Sequence, residues 1–117
     1  MRKHNFHNLK IYQRAIAFSV EIYKLSRKFP KDELYGMTSQ IRRAAISLAI
    51  NIAEGSGNSS EKEFKRFLEI AQRSGYEVLA CLEIANKLNY CSDEEYAQLG
   101  EEAHEIAAMI TGFSKSL

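Results

Sequence analysis

The second helical segment of this chain is too apolar to present a large face to water. In AAISLAINIA, residues 44–53, only Ser47 and Asn51 are polar. A helix that is apolar on nearly all sides is buried on nearly all sides. Every helix of a lone four-helix bundle keeps an outward face, so we expect this helix to contact another subunit there. The alternative is that a long terminal segment of the same chain covers it.

The predicted subunit contact consists of small and branched apolar side chains on the outward part of this helix: Ile46, Ala49, Ile50 and Ala53. The small residues would let two backbones approach closely. The sequence therefore predicts a homo-oligomer.

Apolar residues recur at helical spacing in the other segments as well, and no strand-like alternation extends beyond a few residues. The first helix is predicted from about Asn8 to Lys28, and it carries two apolar rows, one through Ile16 and Val20 and the other through Phe18. Phe29-Pro30 ends it, because the residue before a proline is pushed out of the helical region.

The second helix is predicted to begin after Asp32 or Thr38 and to end near Glu54, with Gly55 as a left-handed cap. Ser60–Glu63 and Ser92–Glu95 have the capping-box pattern that begins a helix, and the third helix is predicted to extend to about Tyr90. These elements predict one all-α domain over residues 1–117, an antiparallel up-and-down four-helix bundle assembling as a homo-oligomer.

The composition is that of an ordinary globular protein, with 45% apolar and 26% charged residues among 117. The apolar runs are too short to span a membrane, and the start, MRKHNFHNLKIY, lacks the apolar core of a signal peptide. We therefore expect a cytoplasmic protein. Cys81 and Cys91 lie ten residues apart on one predicted helix, roughly 15 Å along its axis, so they are expected to be buried thiols that cannot form a disulfide with each other.

Charge is distributed unevenly along the chain. Residues 1–31 contain eight basic side chains against Glu21 alone, whereas the last 26 residues contain six acidic side chains against Lys115. The basic side chains are candidates for contacts with nucleic-acid phosphates: Lys10, Arg14, Lys24, Arg27, Lys28, Lys31, Arg42 and Arg43. The alternative is a solvated helix face that is partly neutralised by the acidic fourth helix.

A polar cluster is predicted where the second and third helices meet: Gln40, Asn51, Glu54, Arg66, Ser74 and Glu77. Glu54 stands near the carboxyl end of its helix, where cations are preferred. We expect it to cap the third helix at the N–H groups near Ser59 and Ser60. The alternative is a shared functional polar site.

The sequence gives no pattern for an enzyme. A di-iron bundle needs Glu-x-x-His on two helices, and Glu101–His104 is the one such spacing in the chain. Ser74 and Glu77 have no His on their helix to act as a base. We therefore predict no catalysis, no cofactor, no metal site and no small-molecule substrate.

The blocks QIRRAA-x-S, NIAEG, EF-x-RFL-x-IA and S-x-x-E, together with Phe6-x-x-Leu9 and Phe29-Pro30, resemble the four-helix proteins encoded by intervening sequences in bacterial 23S ribosomal RNA genes. That family is similar to the accessory proteins of diversity-generating retroelements. The resemblance implies a four-helix bundle in a ring-like homopentamer and, for the retroelement branch, binding of nucleic acid or reverse transcriptase. Those accessory proteins are strongly basic, whereas this chain has a net charge of +1.

The sequence as a whole therefore predicts a non-enzymatic helical oligomer that acts as a scaffold or binding module for RNA or a ribonucleoprotein. The expected partners are further copies of the chain and RNA or DNA, with no membrane. The alternative is a protein-interaction oligomer that has no role with nucleic acid.

Overall fold

The computed structural model describes residues 6–57 and 60–117. Four α-helices account for most of them: α1 Lys10–Ser26, α2 Met37–Ser56, α3 Glu61–Lys87 and α4 Asp93–Lys115. Short 3-10 turns occupy Phe6–Asn8 and Lys31–Glu33. Neither described range contains a strand. The prediction of an all-α chain is confirmed.

The amino ends of α3 and α4 are capped as their sequences predict. Ser92 Oγ accepts a hydrogen bond from the N–H of Glu95 at 3.0 Å, and Glu95 Oε1 accepts one from the N–H of Ser92 at 2.9 Å. At the start of α3, Ser60 Oγ accepts from the N–H of Glu63 at 3.3 Å. These side chains satisfy backbone donors that have no partner inside the helix.

The end of α2 differs from the prediction. The helix continues through Gly55 to Ser56, and no described glycine has a positive φ. Gly55 is therefore not a left-handed cap. A Cβ atom built at this position would lie 2.7 Å from Phe67 Cβ and 2.8 Å from Phe64 Cδ1. The glycine is explained by the close approach of α3 and not by a backbone conformation.

The end of α3 is set by a left-handed residue that the sequence did not reveal. Asn89 has φ of 64°, and the N–H of Tyr90 donates to the carbonyl of Ala85 at 2.8 Å. This is the six-to-one bond of a Schellman motif, and asparagine tolerates the left-handed region better than most residues. It ends α3 at Lys87, three residues before the predicted end.

Each helix packs against its neighbours in the order α1, α2, α3, α4 and back to α1. Ser26 near the end of α1 contacts Arg42 near the start of α2, Gly55 at the end of α2 lies against Phe64 of α3, and Phe64 packs on Phe113 of α4. Consecutive helices are therefore antiparallel, which is consistent with an up-and-down bundle. The bundle measures 47 × 24 × 20 Å.

The core runs along the axis between the four helices. Its largest fully buried side chains include Phe18, Ile22, Leu48, Leu82 and Ile106. Packing is most extensive between α2 and α3 and least extensive between α1 and α4. The α1–α4 side is therefore the most open side of the bundle.

Both cysteines are free, buried thiols, as predicted. Burial raises the pKa of Cys81 and of Cys91 above the ordinary value, which keeps both thiols protonated at neutral pH. In the part of the chain that the structure describes, no helix has the length and hydrophobicity needed to cross a membrane.

Candidate functional site

The outward face of α2 is apolar, and the single chain does not cover it fully. Ile46 and Ala53 are half-buried, and Ile50 is 47% exposed. The amino-terminal turn Phe6–Asn8 contacts α2, yet Ile50 stays exposed. Three of the four residues predicted at the subunit contact are therefore open to a partner.

Ala49 is the exception, and the structure corrects its placement. It is 4% exposed and lies in the core of the chain. One turn earlier, the carbonyl oxygen of Ala45 accepts a hydrogen bond from Ser19 Oγ of α1 at 3.1 Å. Ala45 and Ala49 occupy the side of α2 on which α1 packs. The small side chains thus permit close approach of a helix from the same chain.

Exposed apolar side chains flank α2 on both sides. On α1, Ile16 is 41% and Val20 48% exposed; Ile84 on α3 and Leu88 directly after α3 are each 49% exposed. Ile84 lies two turns after Glu77, which accepts a hydrogen bond from Gln40 of α2, so Ile84 is on the α2 side of α3 near the start of α2. We name the whole region the α2-centred surface, and it consists of Ile16, Val20, Ile46, Ile50, Ala53, Ile84 and Leu88.

The exterior of α4 has a different character. The large exposed apolar side chains of the described residues lie on α1, α2, α3 and the segment before α2, and none lies on α4. The outer positions of α4 carry acidic and small side chains instead, including Glu94, Glu101 and Ala108. The α2-centred surface is therefore an asymmetric feature of the bundle, since α4 shows the polar exterior usual for a solvent-facing helix.

Part of the predicted nucleic-acid surface is already neutralised inside the chain. The guanidinium of Arg14 reaches Glu102 at 2.9 Å and Glu105 at 2.8 Å. The hydrogen bonds that Arg14 donates to Glu105 and Glu102 raise its pKa above the ordinary value. Lys28 pairs with Glu95, and this hydrogen bond lowers the pKa of the Glu95 carboxyl. Both contacts fasten α1 to α4.

The other predicted cations are freer. Lys24 lies 3.4 Å from Glu21 on its own helix, an exposed pair of the kind that contributes little. Four more are exposed, and none has a side-chain hydrogen bond or ion pair within residues 6–57 and 60–117: Lys10, Arg27, Lys31 and Arg43.

Arg42 occupies an intermediate position at the α1–α2 contact, where it is half-buried. Its Nε–H donates to Ser26 Oγ at 2.7 Å, and its guanidinium carbon lies 4.6 Å from the centre of the Tyr23 ring. Sequence reasoning missed both partners. Their spacing of three residues, which places them on one face of a helix, was the available signal.

Four members of the predicted polar cluster, together with Ser47, make hydrogen bonds at the contact between α2 and α3. Ser47 Oγ and Ser74 Oγ are 2.9 Å apart, and Asn51 Nδ2 donates to the carbonyl and hydroxyl oxygens of Ser47 at 2.8 and 3.1 Å. Further along the same interface, Gln40 donates to Glu77. The bonds of Ser47, Asn51 and Ser74 satisfy polar groups within a largely apolar contact, whereas Gln40 and Glu77 are exposed.

Glu54 and Arg66 do not join that network. Arg66 pairs with Glu63 at 3.0 Å and stacks on Phe67. Glu54 is exposed and makes no hydrogen bond in the described part of the chain. The expected capping contact from Glu54 is not observed there, because Ser60 supplies the side-chain cap of α3. Ser59, the other expected contact, lies outside the described residues.

A groove of about 530 Å³ separates α1 from α4. Phe18, Leu25 and Leu99 line it, and the rim includes Lys28 and Glu95, which are paired with each other. Among the residues described, no three His, Cys, Asp or Glu side chains converge where a metal ion could bind.

Comparison with known proteins identifies one family. The profile of the 23S rRNA-intervening sequence protein family matches residues 7–112. A similar solved structure is that of a protein of unknown function from the S23 ribosomal protein family of Bacteroides thetaiotaomicron, which is 24% identical. The alignment covers 90% of this chain and 98% of that chain with a TM-score of 0.83. At this identity the likeness shows the fold alone. No curated protein matches the chain.

Proposed function

Because this chain belongs to the 23S rRNA-intervening sequence protein family, as its motifs predicted, we propose that it is a non-enzymatic, homo-oligomeric scaffold that binds RNA. The observation that carries the proposal is a juxtaposition. The α1–α2 pair carries part of the α2-centred surface, and at the end where α1 is followed by α2 the chain also carries four cations that have no carboxylate partner in the described residues: Arg27, Lys31, Arg42 and Arg43. One part of this face would bind a second copy, and the other would bind phosphates.

The shape of the apolar surface supports a ring. Ile16 and Val20 lie on the α1 side of α2, whereas Ile84 and Leu88 lie on the α3 side. If the α1 side of one copy docks on the α3 side of the next, the contact is head-to-tail, and such contacts generate a ring when the rotation closes. Five copies is the number that the family resemblance implied, and it is part of this proposal.

A ring also raises the affinity of a weakly basic chain. Cyclic symmetry repeats the basic end of each bundle around one circle, so a polynucleotide meets several equivalent sites at once. Linked sites bind with greater avidity without any new contact. In this proposal RNA binds the local positive charge at one end of each bundle. A net charge of only +1 for the whole chain is therefore compatible with RNA binding. The proposal places the oligomer in the cytoplasm.

Titration of a fluorescently labelled RNA hairpin at several salt concentrations tests RNA binding. The affinity should fall steeply with salt, as expected when phosphates are neutralised by lysine and arginine. The double variant Arg27→Glu with Arg43→Glu should abolish binding. Its control, Lys62→Glu with Lys65→Glu, makes the same charge change at exposed positions near the other end of the bundle and should leave the affinity within about twofold, because long-range charge effects are screened.

A second candidate is a protein-interaction oligomer that has no role with nucleic acid. The observation that favours it is the internal pairing of Arg14 and Lys28 with carboxylates of α4, which removes two of the eight predicted phosphate contacts. Absence of RNA binding at low salt, in a protein that still assembles, would select this candidate. A relation to retroelement accessory proteins stays a prediction.

A further inference from the structure

We infer that Arg42 is a pre-oriented anchor for a phosphodiester group of RNA, with Arg27 and Arg43 beside it. This inference rests on the proposed function and assigns the RNA contact to a defined site. The environment of Arg42 differs from that of the ion-paired arginines.

Arg42 differs from the ion-paired arginines of the described chain. Arg14, Arg66 and Arg73 each lie within 3.0 Å of a glutamate oxygen. Arg42 is half-buried, yet none of the ion pairs of the described residues includes it. A partly desolvated cation without a counter-ion is a favourable place for an anion to bind.

The two contacts of Arg42 hold the guanidinium while leaving most of its donors unused. Ser26 Oγ takes only the Nε–H, and Tyr23 faces the guanidinium plane through its ring. No side chain within the described ranges accepts from the two terminal amino groups. Those groups form the planar fork that binds phosphate oxygens in a bidentate manner. Because two contacts already orient the fork, less conformational entropy is lost on binding.

Basic residues follow both partners of the Arg42–Ser26 contact in the sequence. Arg27 follows Ser26 directly, Arg43 follows Arg42 directly, and both are exposed. Two nearby carboxylates are already engaged. Glu21 pairs with Lys24, and Glu33 accepts hydrogen bonds from Tyr90 Oη and from the N–H of Met37. Asp32, which is exposed between Lys31 and Glu33, is the remaining acid of this segment.

Tyr23 and Ser26 are the positioning residues of this site. The ring attracts the cation through its negative face, and the Ser26 hydroxyl, which is 2% exposed, fixes the rotation of the guanidinium about its long axis. Replacing either residue should weaken RNA binding without changing the charge of the protein. A purely electrostatic contribution of Arg42 would not respond to Tyr23→Leu or Ser26→Ala.

The test compares the salt dependence of RNA-hairpin binding for the wild type, Arg42→Gln and Arg73→Gln. Arg73 is exposed on α3 and bonded to Glu69 within its own helix, so its variant matches the charge change at a remote site. Arg42→Gln should bind about tenfold more weakly, as for a lost charged hydrogen bond. Its slope of log affinity against log salt should be smaller by about one. Arg73→Gln should stay within about twofold of the wild type, since a remote exposed charge is screened.

The outcomes separate the two proposals. If the wild type binds and Arg42→Gln behaves like Arg73→Gln, the anchor is excluded while RNA binding stands. If the wild type binds no RNA at low salt, both proposals fail. If Arg42→Gln changes the mass or the thermal unfolding of the protein, the binding test is repeated with Arg42→Lys. That variant keeps the charge but lacks the fork, so affinity equal to the wild type would exclude the anchor, and a several-fold loss would support it.

Discussion

Gly55 has no room for a side chain, because the first turns of α3 lie directly against it. An alanine Cβ would approach Phe67 Cβ to 2.7 Å, and that atom is attached to the backbone and cannot rotate away. Gly57, two residues later, is in open surroundings, with the nearest atoms to an added Cβ at 3.7 Å. Close packing against α3 therefore requires a glycine at position 55 but not at position 57.

We expect Gly55→Ala to be destabilising and Gly57→Ala to be tolerated. Overpacking costs about 1–3 kcal/mol, whereas the gain in helix propensity offsets about 1 kcal/mol, so the free energy of unfolding should fall for Gly55→Ala. For Gly57→Ala it should rise by about 0.4–1 kcal/mol, because the backbone is already right-handed helical and the unfolded chain loses freedom. Thermal unfolding at one protein concentration measures both. Equal stabilisation by the two changes would rule out the close approach.

Residue types predicted some of these roles and not others. Ser60 and Ser92 were recognisable as caps, because a cap depends on residues three positions apart in the sequence. Gly55 and Ala49 were misplaced, because their environments are made by α3 and α1, which are distant in the sequence. Arg42 was grouped with the other cations, since its ring and hydroxyl partners belong to another helix.

Charged side chains join α1 to α4, the pair of neighbouring helices that packs least extensively. Arg14 binds two glutamates of α4, and Lys28 binds Glu95 near the start of that helix. Glu95 also accepts the N–H of Ser92 in the capping box. The carboxylate of Glu95 thus takes part both in the cap of α4 and in the ion pair between α4 and the end of α1.

The stabilising effect of Glu95 should depend on pH. Its pKa is lowered from the ordinary 4.5, chiefly by the hydrogen bond from Lys28. A carboxyl group with a lowered folded-state pKa stabilises the fold above the unfolded-state value and loses this effect as pH falls through the folded-state value. We therefore expect Glu95→Gln to reduce the free energy of unfolding by about 0.2–1 kcal/mol at pH 7, as for a partly exposed pair.

Urea unfolding of wild type and Glu95→Gln at a series of pH values checks this. The difference between them should shrink as the pH falls below 4.5. The control is Glu94→Gln, whose side chain is exposed and has no hydrogen bond or ion pair in the described residues. A difference for Glu95→Gln that stays constant into acid would contradict the assignment.

The helices themselves were predictable, because apolar periodicity and end signals are local properties of the chain. All four were found, with ends displaced by a few residues. The rotation of each helix about its axis was not predictable. The two apolar rows of α1 look alike in the sequence, but packing turned Phe18 into the core and left Ile16 and Val20 outside. For the same reason the sequence could not decide which cations would meet the carboxylates of α4.

At the scale of the whole molecule, the bundle has an apolar side and a charged side. The α2-centred surface includes residues of three helices, whereas the outer positions of α4 are polar or small. Large exposed apolar patches on folded proteins are typical of interaction sites, which is why we expect a partner at this surface. The unusual composition of residues 44–53 predicted the middle of this surface, but its flanks on α1 and α3 emerged only from the packing.

Copies of this chain are expected to meet through the α2-centred surface, and light scattering on the purified protein at micromolar concentration measures their assembly. The wild type should have a mass several times 13.3 kDa. Ile50→Asp should shift it toward the single-chain mass or unfold the protein, since an unpaired charge would be buried at the contact. Ala108→Asp, at an exposed position on α4, should leave the mass unchanged. A wild-type mass of 13.3 kDa would contradict the account.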